Sequence, residues 1–161
     1  LSIVLNTTSA YADLSEFIQY QLSLVGIKVE VNIMESGNLN EMVAHVEGLL
    51  ISLKLPYRIL RLCGGDMGTA SAITYDFEVY SAAQERWLEV SSVSNFMAYQ
   101  TYRMKCRFKD ADGKTQFAHS LNGSSLALPR IFAAIVENYQ TETGIALPKV
   151  LQPYFGAENL V

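Results

Sequence analysis

Residues 73–93 read ITYDFEVYSAAQERWLEVSSV, and this stretch decides the fold class. Its first half alternates apolar and polar side chains, which predicts a β-strand with one buried face and one polar face. The alternation returns over residues 87–93 after a short polar break, so a second strand is predicted next to the first. Glu78 and Glu89 are then expected on neighbouring strands. In a regular strand, Glu89 and Ser92 would point to opposite faces, because side chains alternate with a period of two.

Further strands and several helices are predicted on both sides of this pair. Helical spacing of apolar residues covers residues 11–24 and about 41–53, where Asn38 and Glu41 stand at capping-box spacing. A third helix is predicted to open at 122–125 and to reach about residue 140, with Pro129 in its first turn. The other predicted strands are residues 2–5, 27–34, 57–62, 102–108 and 115–121. These elements predict an α+β fold, a mostly antiparallel sheet with packed helices, preceded by a β-α-β unit.

The composition limits the possible function classes. The chain has 161 residues, half of them apolar, and a net charge of −4, which excludes a disordered or collagen-like protein. Without a global basic field, contact with nucleic acid would need a local patch. Two cysteines are too few for a disulfide framework or a cysteine-based zinc site. No apolar run predicts a membrane span or a signal peptide. Because the chain begins with Leu1, we expect it to be part of a longer protein.

Polar residues near strand ends form the best candidate site. The carboxylates of Glu78 and Glu89, with nearby serine hydroxyls, are oxygen ligands of the kind that Mg²⁺ prefers. A helix opening at 122–125 would offer free backbone N–H groups to an anion, and Arg130 could reach a phosphate. The alternative is that the strand residues form only a solvated face, and that Asn122 to Ser124 form a turn with an N-cap.

Basic residues alternate over the predicted strand at 102–108. Arg103, Lys105 and Arg107 would share one face of that strand, which is either an ordinary exposed face or a contact for RNA phosphates. The two histidines, His45 and His119, are too far apart in sequence for a zinc signature, and structural roles are expected for both.

Beyond these patterns, the chain from about residue 41 onward resembles the C-terminal part of the catalytic domain of seryl-tRNA synthetases, which are class II aminoacyl-tRNA synthetases. The resemblance runs in unbroken order over about 70% of the chain. It is most specific where Glu89-Val90-Ser91-Ser92 and Ser94-Asn95-Phe96 are followed by Ser120-Leu121-Asn122-Gly123-Ser124 and Arg130.

The resemblance implies activation of serine by ATP, transfer of serine to tRNA and a cytoplasmic location. It implies that Glu89 and Ser92 hold ATP through Mg²⁺ and that Arg130 binds the γ-phosphate. The positions implied for ATP are Glu89, Val90, Ser91, Ser92 and Arg130, and those implied for serine are Asn122 and Ser124. These parts suit a reaction at a phosphate, which needs positioning and neutralisation of charge more than a protein nucleophile.

Several parts of the family pattern are not found. They are motif 1, which makes the dimer, motif 2, the Thr-x-Glu serine loop and the arm that grips tRNA. We therefore expect the chain alone to be weak or inactive. The alternative is a non-catalytic chimeric fold or interaction module.

The first 40 residues are expected to differ in origin from the rest. Residues 1–40 resemble part of a periplasmic peptide-binding protein and would form a β-α-β cap, whereas residues 41–161 would form one compact synthetase-like unit. The junction is predicted near residues 36–41. Within the first segment, Lys28-Val29-Glu30 also matches the end of motif 2, where the family has a serine-binding glutamate.

Overall fold

The computed structural model describes residues 2–8, 12–34 and 37–160. The chain divides into two compact units, Leu1–Asn40 and Glu41–Val161. None of the helices among the described residues is both long enough and apolar enough to span a bilayer.

The first unit is a parallel β-α-β arrangement. Strand β1 (Ser2–Thr8) pairs with β2 (Lys28–Met34), and helix α1 (Ala12–Leu24) connects them. Gly26 ends the helical turn with a φ of +77°, a conformation that suits glycine because it has no Cβ. The β-α-β prediction is therefore confirmed, while the side chain of Glu30 lies outside the part of the chain that the structure describes.

The second unit is built around one antiparallel sheet. Its strand order is β3-β4-β5-β8, and two further pairs, β6-β7 and β9-β10, form small separate sheets. The strands are β3 (Tyr57–Arg61), β4 (Ile73–Ser81), β5 (Arg86–Met97), β6 (Arg107–Lys109), β7 (Thr115–Phe117), β8 (Ser120–Gly123), β9 (Gln140–Thr141) and β10 (Gly144–Ile145). The helices are α2 (Gly37–Ser52), α3 (Tyr99–Met104), α4 (Leu128–Asn138) and α5 (Gln152–Phe155). The predicted α+β class, with a mostly antiparallel sheet, is confirmed.

One face of the four-stranded sheet forms the core. The side chains of Phe77 and Val79 on β4 and of Val90 and Val93 on β5 are almost completely buried. Helix α4 packs against these two strands. The end of α4 is tied to the end of β4, because Ser81 Oγ donates a hydrogen bond of 2.8 Å to Glu137 Oε2. Burial of this apolar face supplies the main driving force for folding of the unit.

The pairing of β4 with β5 contains a bulge at Val90. Phe77 pairs with Ser91, and the next residue, Glu78, pairs with Glu89. Val90 is therefore an extra residue of β5 between these two pairs. An extra residue of this kind changes the alternation of side chains across the faces of its strand. The bulge therefore corrects the prediction that Glu89 and Ser92 point to opposite faces.

The predicted strand at 102–108 is wrong. Residues Tyr99–Met104 form helix α3, which ends at Lys105 in the left-handed conformation with φ +55°. Only Arg107–Lys109 is extended. In this segment charged residues alternate with uncharged ones, but the uncharged residues are not buried. Charged residues on an exposed segment can alternate in this way without forming a strand.

The sequence also misplaced the start of two helices. Helix α4 begins at Leu128, and Asn122 and Gly123 belong to strand β8. The predicted helix opening at 122–125 is therefore wrong, although Pro129 does lie in the first turn. Helix α2 begins at Gly37, so Asn38 is inside the helix rather than at its N-cap. The predicted return strand at 115–121 is two strands in different sheets, β7 and β8.

Gly123 lies where α2 comes close to the sheet. A Cβ at this position would be 2.9 Å from Met42 Cε and 3.0 Å from Val93 Cγ2. Val93 is fully buried and cannot move far, whereas the end of the methionine side chain is flexible. The absence of a side chain at Gly123 therefore lets Met42 of α2 come close to the edge strand β8.

We expect Gly123→Ala to lower the free energy of unfolding by about 1–3 kcal/mol, because the added methyl group overpacks this contact. Urea denaturation of the purified chain measures the change. Gly65→Ala is the matched control, since a Cβ at Gly65 would meet no atom within 4 Å. Equal midpoints for the two variants would show that α2 does not approach the sheet this closely.

Candidate functional site

The bulge places the candidate residues on one polar face. Ser92 pairs with Asp76, and Glu89 pairs with Glu78. Asp76 and Glu78 are two residues apart on β4 and share a face, so their partners on β5 share it as well. The structure therefore brings the three carboxylates and the Ser92 hydroxyl to the same side of the sheet.

Val90 and Ser91 point to the opposite, buried side. Both side chains are about 1% exposed. The Ser91 hydroxyl donates a hydrogen bond of 2.5 Å to the Ser124 carbonyl oxygen. The side chains of these two predicted ATP-binding residues are thus occupied by the core, and their contact with any ligand would have to be through the backbone.

Asn122 continues the polar face at the edge of the sheet, whereas the Ser124 hydroxyl donates a hydrogen bond of 3.3 Å to the Ser91 hydroxyl on the opposite side. Asn122 pairs with Ser94, whose hydroxyl lies 2.8 Å from the Thr74 hydroxyl. Both Asn122 and Ser124 are exposed. The Ser124 N–H donates to the Ser92 carbonyl oxygen, so it is not one of the free helix N–H groups expected from the sequence.

Arg130 reaches this face from the first turn of α4. Its Nη1 donates a hydrogen bond of 2.6 Å to the Glu89 carbonyl oxygen and lies 4.0 Å from Glu89 Oε1. The carbonyl bond fixes the guanidinium next to the bulge. About half of the Arg130 side chain remains exposed, so its other N–H groups can bind an anion.

The charges of this face are unevenly balanced. Arg58 Nε lies 2.5 Å from Glu78 Oε2, and the same guanidinium stacks 4.7 Å from the centre of the Trp87 ring. Glu78 therefore has a close cationic partner, whereas the cation beside Glu89, Arg130, is more distant. Desolvation raises the pKa of Glu89, the carboxylate of Asp76 raises it further, and Arg130 opposes the increase.

Asp76 is a member of the site that the sequence did not single out. Its Oδ1 is buried and has no hydrogen-bond partner among the described residues. A buried carboxylate oxygen without a donor is costly, and a bound cation would satisfy it. The alternation of Asp76 with Glu78 on the polar side of β4 is the sequence signal that could have identified it.

The face fits a divalent cation only when a ligand supplies part of the coordination. Across residues 2–8, 12–34 and 37–160, no three His, Cys, Asp or Glu side chains are placed to hold a metal ion together. Mg²⁺ is commonly bound by one or two carboxylates plus the phosphates of a substrate. In this chain the side chains of Glu89 and Ser92 could supply the protein oxygens for that second arrangement.

The raised pKa of Glu89 predicts a pH-dependent effect on stability. We expect Glu89→Gln to raise the thermal midpoint at neutral pH in magnesium-free buffer, because it removes a charge that Asp76 and Glu78 repel. This advantage should shrink as the pH falls through the raised pKa, since the wild-type carboxyl group then becomes neutral too.

Thermal unfolding at neutral pH and below pH 4.5, the ordinary value of a glutamate carboxyl group, tests this expectation. Glu142→Gln, at an exposed position, is the control. A difference between Glu89→Gln and wild type that does not change with pH would contradict the assignment.

Comparison with known proteins assigns the family. The sequence model of the tRNA synthetase class II core domain (G, H, P, S and T) matches residues 15–139. The chain belongs to this class II synthetase family. Its similarity is to serine–tRNA ligases in particular. It is 48% identical over 135 residues to the enzyme of Chromobacterium violaceum, covering 83% of this chain and 32% of that protein. It is 53% identical over 116 residues to the enzyme of Akkermansia muciniphila, covering 71% of this chain and 27% of that protein.

Solved structures agree with this assignment. Seryl-tRNA synthetase from Pyrococcus horikoshii, complexed with ATP, matches with a TM-score of 0.72 and 36% identity, over 76% of this chain and 28% of that chain. Cytoplasmic serine–tRNA ligase from Naegleria fowleri, in complex with AMP, matches with a TM-score of 0.69 and 33% identity, over 78% of this chain and 30% of that chain. The predicted class II synthetase fold is confirmed.

The chain spans about 30% of the length of the relatives it matches. It corresponds to part of the catalytic domain of serine–tRNA ligases. The family match begins at residue 15, inside the segment for which the sequence indicated a different origin. The junction near residues 36–41 and the resemblance of residues 1–40 to a peptide-binding protein stay predictions.

Proposed function

We propose that this chain supplies the ATP- and serine-binding part of a serine–tRNA ligase active site. In this proposal Glu89 and Ser92 bind ATP together with Mg²⁺, and Arg130 binds a phosphate. Asn122 and Ser124 line the serine pocket at the adjoining sheet edge. The whole reaction would join serine to ATP and then transfer the serine to tRNA.

The observation that supports this proposal most strongly is the bulge at Val90. It aligns Glu89 and Ser92 with Asp76 on one face, and Arg130 binds the backbone of the same bulge. A face with carboxylates at its centre and an arginine at its border suits a metal-bound polyphosphate. The metal would neutralise the acidic residues, and the arginine would contact phosphate oxygens that the metal leaves free.

The chain's own residues would act by positioning. In-line attack at a phosphate needs aligned reactants and stabilised charge more than a protein nucleophile. Arg130 would hold the polyphosphate in one orientation through its remaining N–H groups. Bound Mg²⁺ would stabilise negative charge on the phosphate oxygens, and Glu89 and Ser92 would hold it.

Calorimetric titration with ATP, with and without Mg²⁺, tests the proposal. We expect the wild type to bind ATP more tightly when Mg²⁺ is present, and Glu89→Gln to weaken this binding by about 10- to 100-fold, the usual effect of losing a charged contact. Glu89→Gln should also lose most of the dependence on Mg²⁺. Arg130→Gln should weaken binding whether or not Mg²⁺ is present.

The controls are Glu142→Gln and Arg86→Gln, which make the same changes of charge at exposed positions away from the polar face. Both should bind as the wild type does. Arg130→Gln also removes the bond to the Glu89 carbonyl oxygen, so its thermal midpoint must be measured before its affinity is interpreted. No binding by folded wild type up to about 1 mM ATP would favour the alternative of a non-catalytic module.

A further inference from the structure

The positive charge of this chain is concentrated in one segment. Residues 99–119 contain five of the twelve lysines and arginines but only two carboxylates, although the whole chain has a net charge of −4. The cations are Arg103, Lys105, Arg107, Lys109 and Lys114. All five are exposed. The local patch that nucleic-acid contact would require is therefore present, although not as the single strand expected from the sequence.

The segment is held together as one platform. Thr101 of α3 is buried, and its single hydroxyl hydrogen is directed to the Ala118 carbonyl oxygen, with the Ala98 carbonyl oxygen a second, more distant acceptor. The N–H of Cys106, which precedes β6, donates to the Thr101 carbonyl oxygen at 2.9 Å. These bonds connect α3 to both strands at the open end of the β6-β7 hairpin, so the cations on the two elements keep a fixed arrangement.

An aromatic pair lies among these cations. The rings of Tyr102 and Phe117 have centres 5.0 Å apart, and the Arg107 guanidinium lies 4.7 Å from the centre of the Phe117 ring. Arg107 pairs with Phe117 and Lys109 pairs with Thr115, so both cations lie on the same hairpin face as Phe117. We call Tyr102, Arg107, Lys109 and Phe117 the basic–aromatic surface.

The charges of this surface are available to a partner. None of the cations in residues 99–119 forms an ion pair with a described residue. The nearest carboxylate in the hairpin, Asp110, accepts hydrogen bonds from the backbone N–H groups of Asp112 and Lys114 and from the Gln116 amide. Asp110 therefore holds the turn. Tyr102 is 67% exposed, which leaves most of its ring free to stack on another group.

We propose that the basic–aromatic surface binds unpaired RNA, with Arg107 and Lys109 contacting phosphates and Tyr102 stacking on a base. Charged groups next to an exposed aromatic ring form the usual recognition surface for single-stranded nucleic acid. An acidic protein partner would use the charges but would have less use for the exposed ring. The choice of RNA rests on the proposed function, whereas the surface itself rests on the contacts above.

Fluorescence anisotropy with a labelled oligouridine of about 12 nucleotides tests the proposal. We expect Tyr102→Ala to weaken binding at least about fivefold, as loss of one stacked base does. Arg107→Gln with Lys109→Gln should weaken binding and flatten its salt dependence. The slope of log K against log salt should fall by about 1.4, or about 0.7 for each lost phosphate contact.

Matched controls distinguish RNA binding at this surface from general electrostatic attraction to the chain. Arg86→Gln with Lys149→Gln removes the same charge elsewhere, and Phe108→Ala removes an exposed ring on the opposite face of the hairpin. Both should bind the oligouridine as the wild type does. If the charge control loses as much affinity as the surface variant, or if a polyglutamate peptide binds as well as the RNA, the proposal is wrong.

The ATP titration keeps this proposal distinct from the proposed function. Tyr102→Ala and the double surface variant should bind ATP with Mg²⁺ as the wild type does, because these residues belong to α3 and the β6-β7 hairpin and not to the four-stranded sheet. Normal ATP binding without RNA binding by the wild type would overturn the RNA surface alone. RNA binding without ATP binding would overturn the proposed function alone.

Discussion

The arrangement of the site depends on the extra residue that Val90 adds to β5. Without it, regular alternation would send Glu89 and Ser92 to opposite faces of the sheet. With it, Val90 and Ser91 are both buried in the core, while Glu89 and Ser92 both join Asp76 and Glu78 on the polar face. Next to this bulge, the Glu89 carbonyl oxygen accepts a hydrogen bond from Arg130. One irregularity therefore brings Glu89 and Ser92 to one face, next to Arg130.

The carboxylates on the polar face repel one another, and a bound cation would reduce this repulsion. Arg58 neutralises Glu78 at one end, but Asp76 and Glu89 lack an equally close cation, and an Asp76 oxygen is buried without a donor among the described residues. This unfavourable arrangement survives because the opposite face of the same strands buries Phe77, Val79 and Val93. Residues that pack well on one side of a sheet thus support a costly set of charges on the other.

The sequence predicted the fold correctly where burial of one face requires apolar residues at regular spacing along an element. The alternation in β4 and the helical spacing in α2 were both predicted, since each reflects one buried apolar face. The prediction failed for 102–108, where the alternating residues are charged and no sheet buries the residues between them. It also failed at Asn122 and Gly123, which the turn-like composition placed in a helix opening. Pairing with β5 determines the conformation there, and that contact is made to residues almost 30 positions away.

The sequence by itself determined the fold class, the family resemblance and the chemical types in the site, because side-chain identity and local period are properties of the chain. Tertiary structure alone decided which of those side chains meet. The bulge, the approach of α2 at Gly123 and the union of α3 with the β6-β7 hairpin each depend on contacts between distant segments. The alternation along β4 places Asp76 on the same face as Glu78, but only the pairing with Ser92 brings Asp76 next to the bulge.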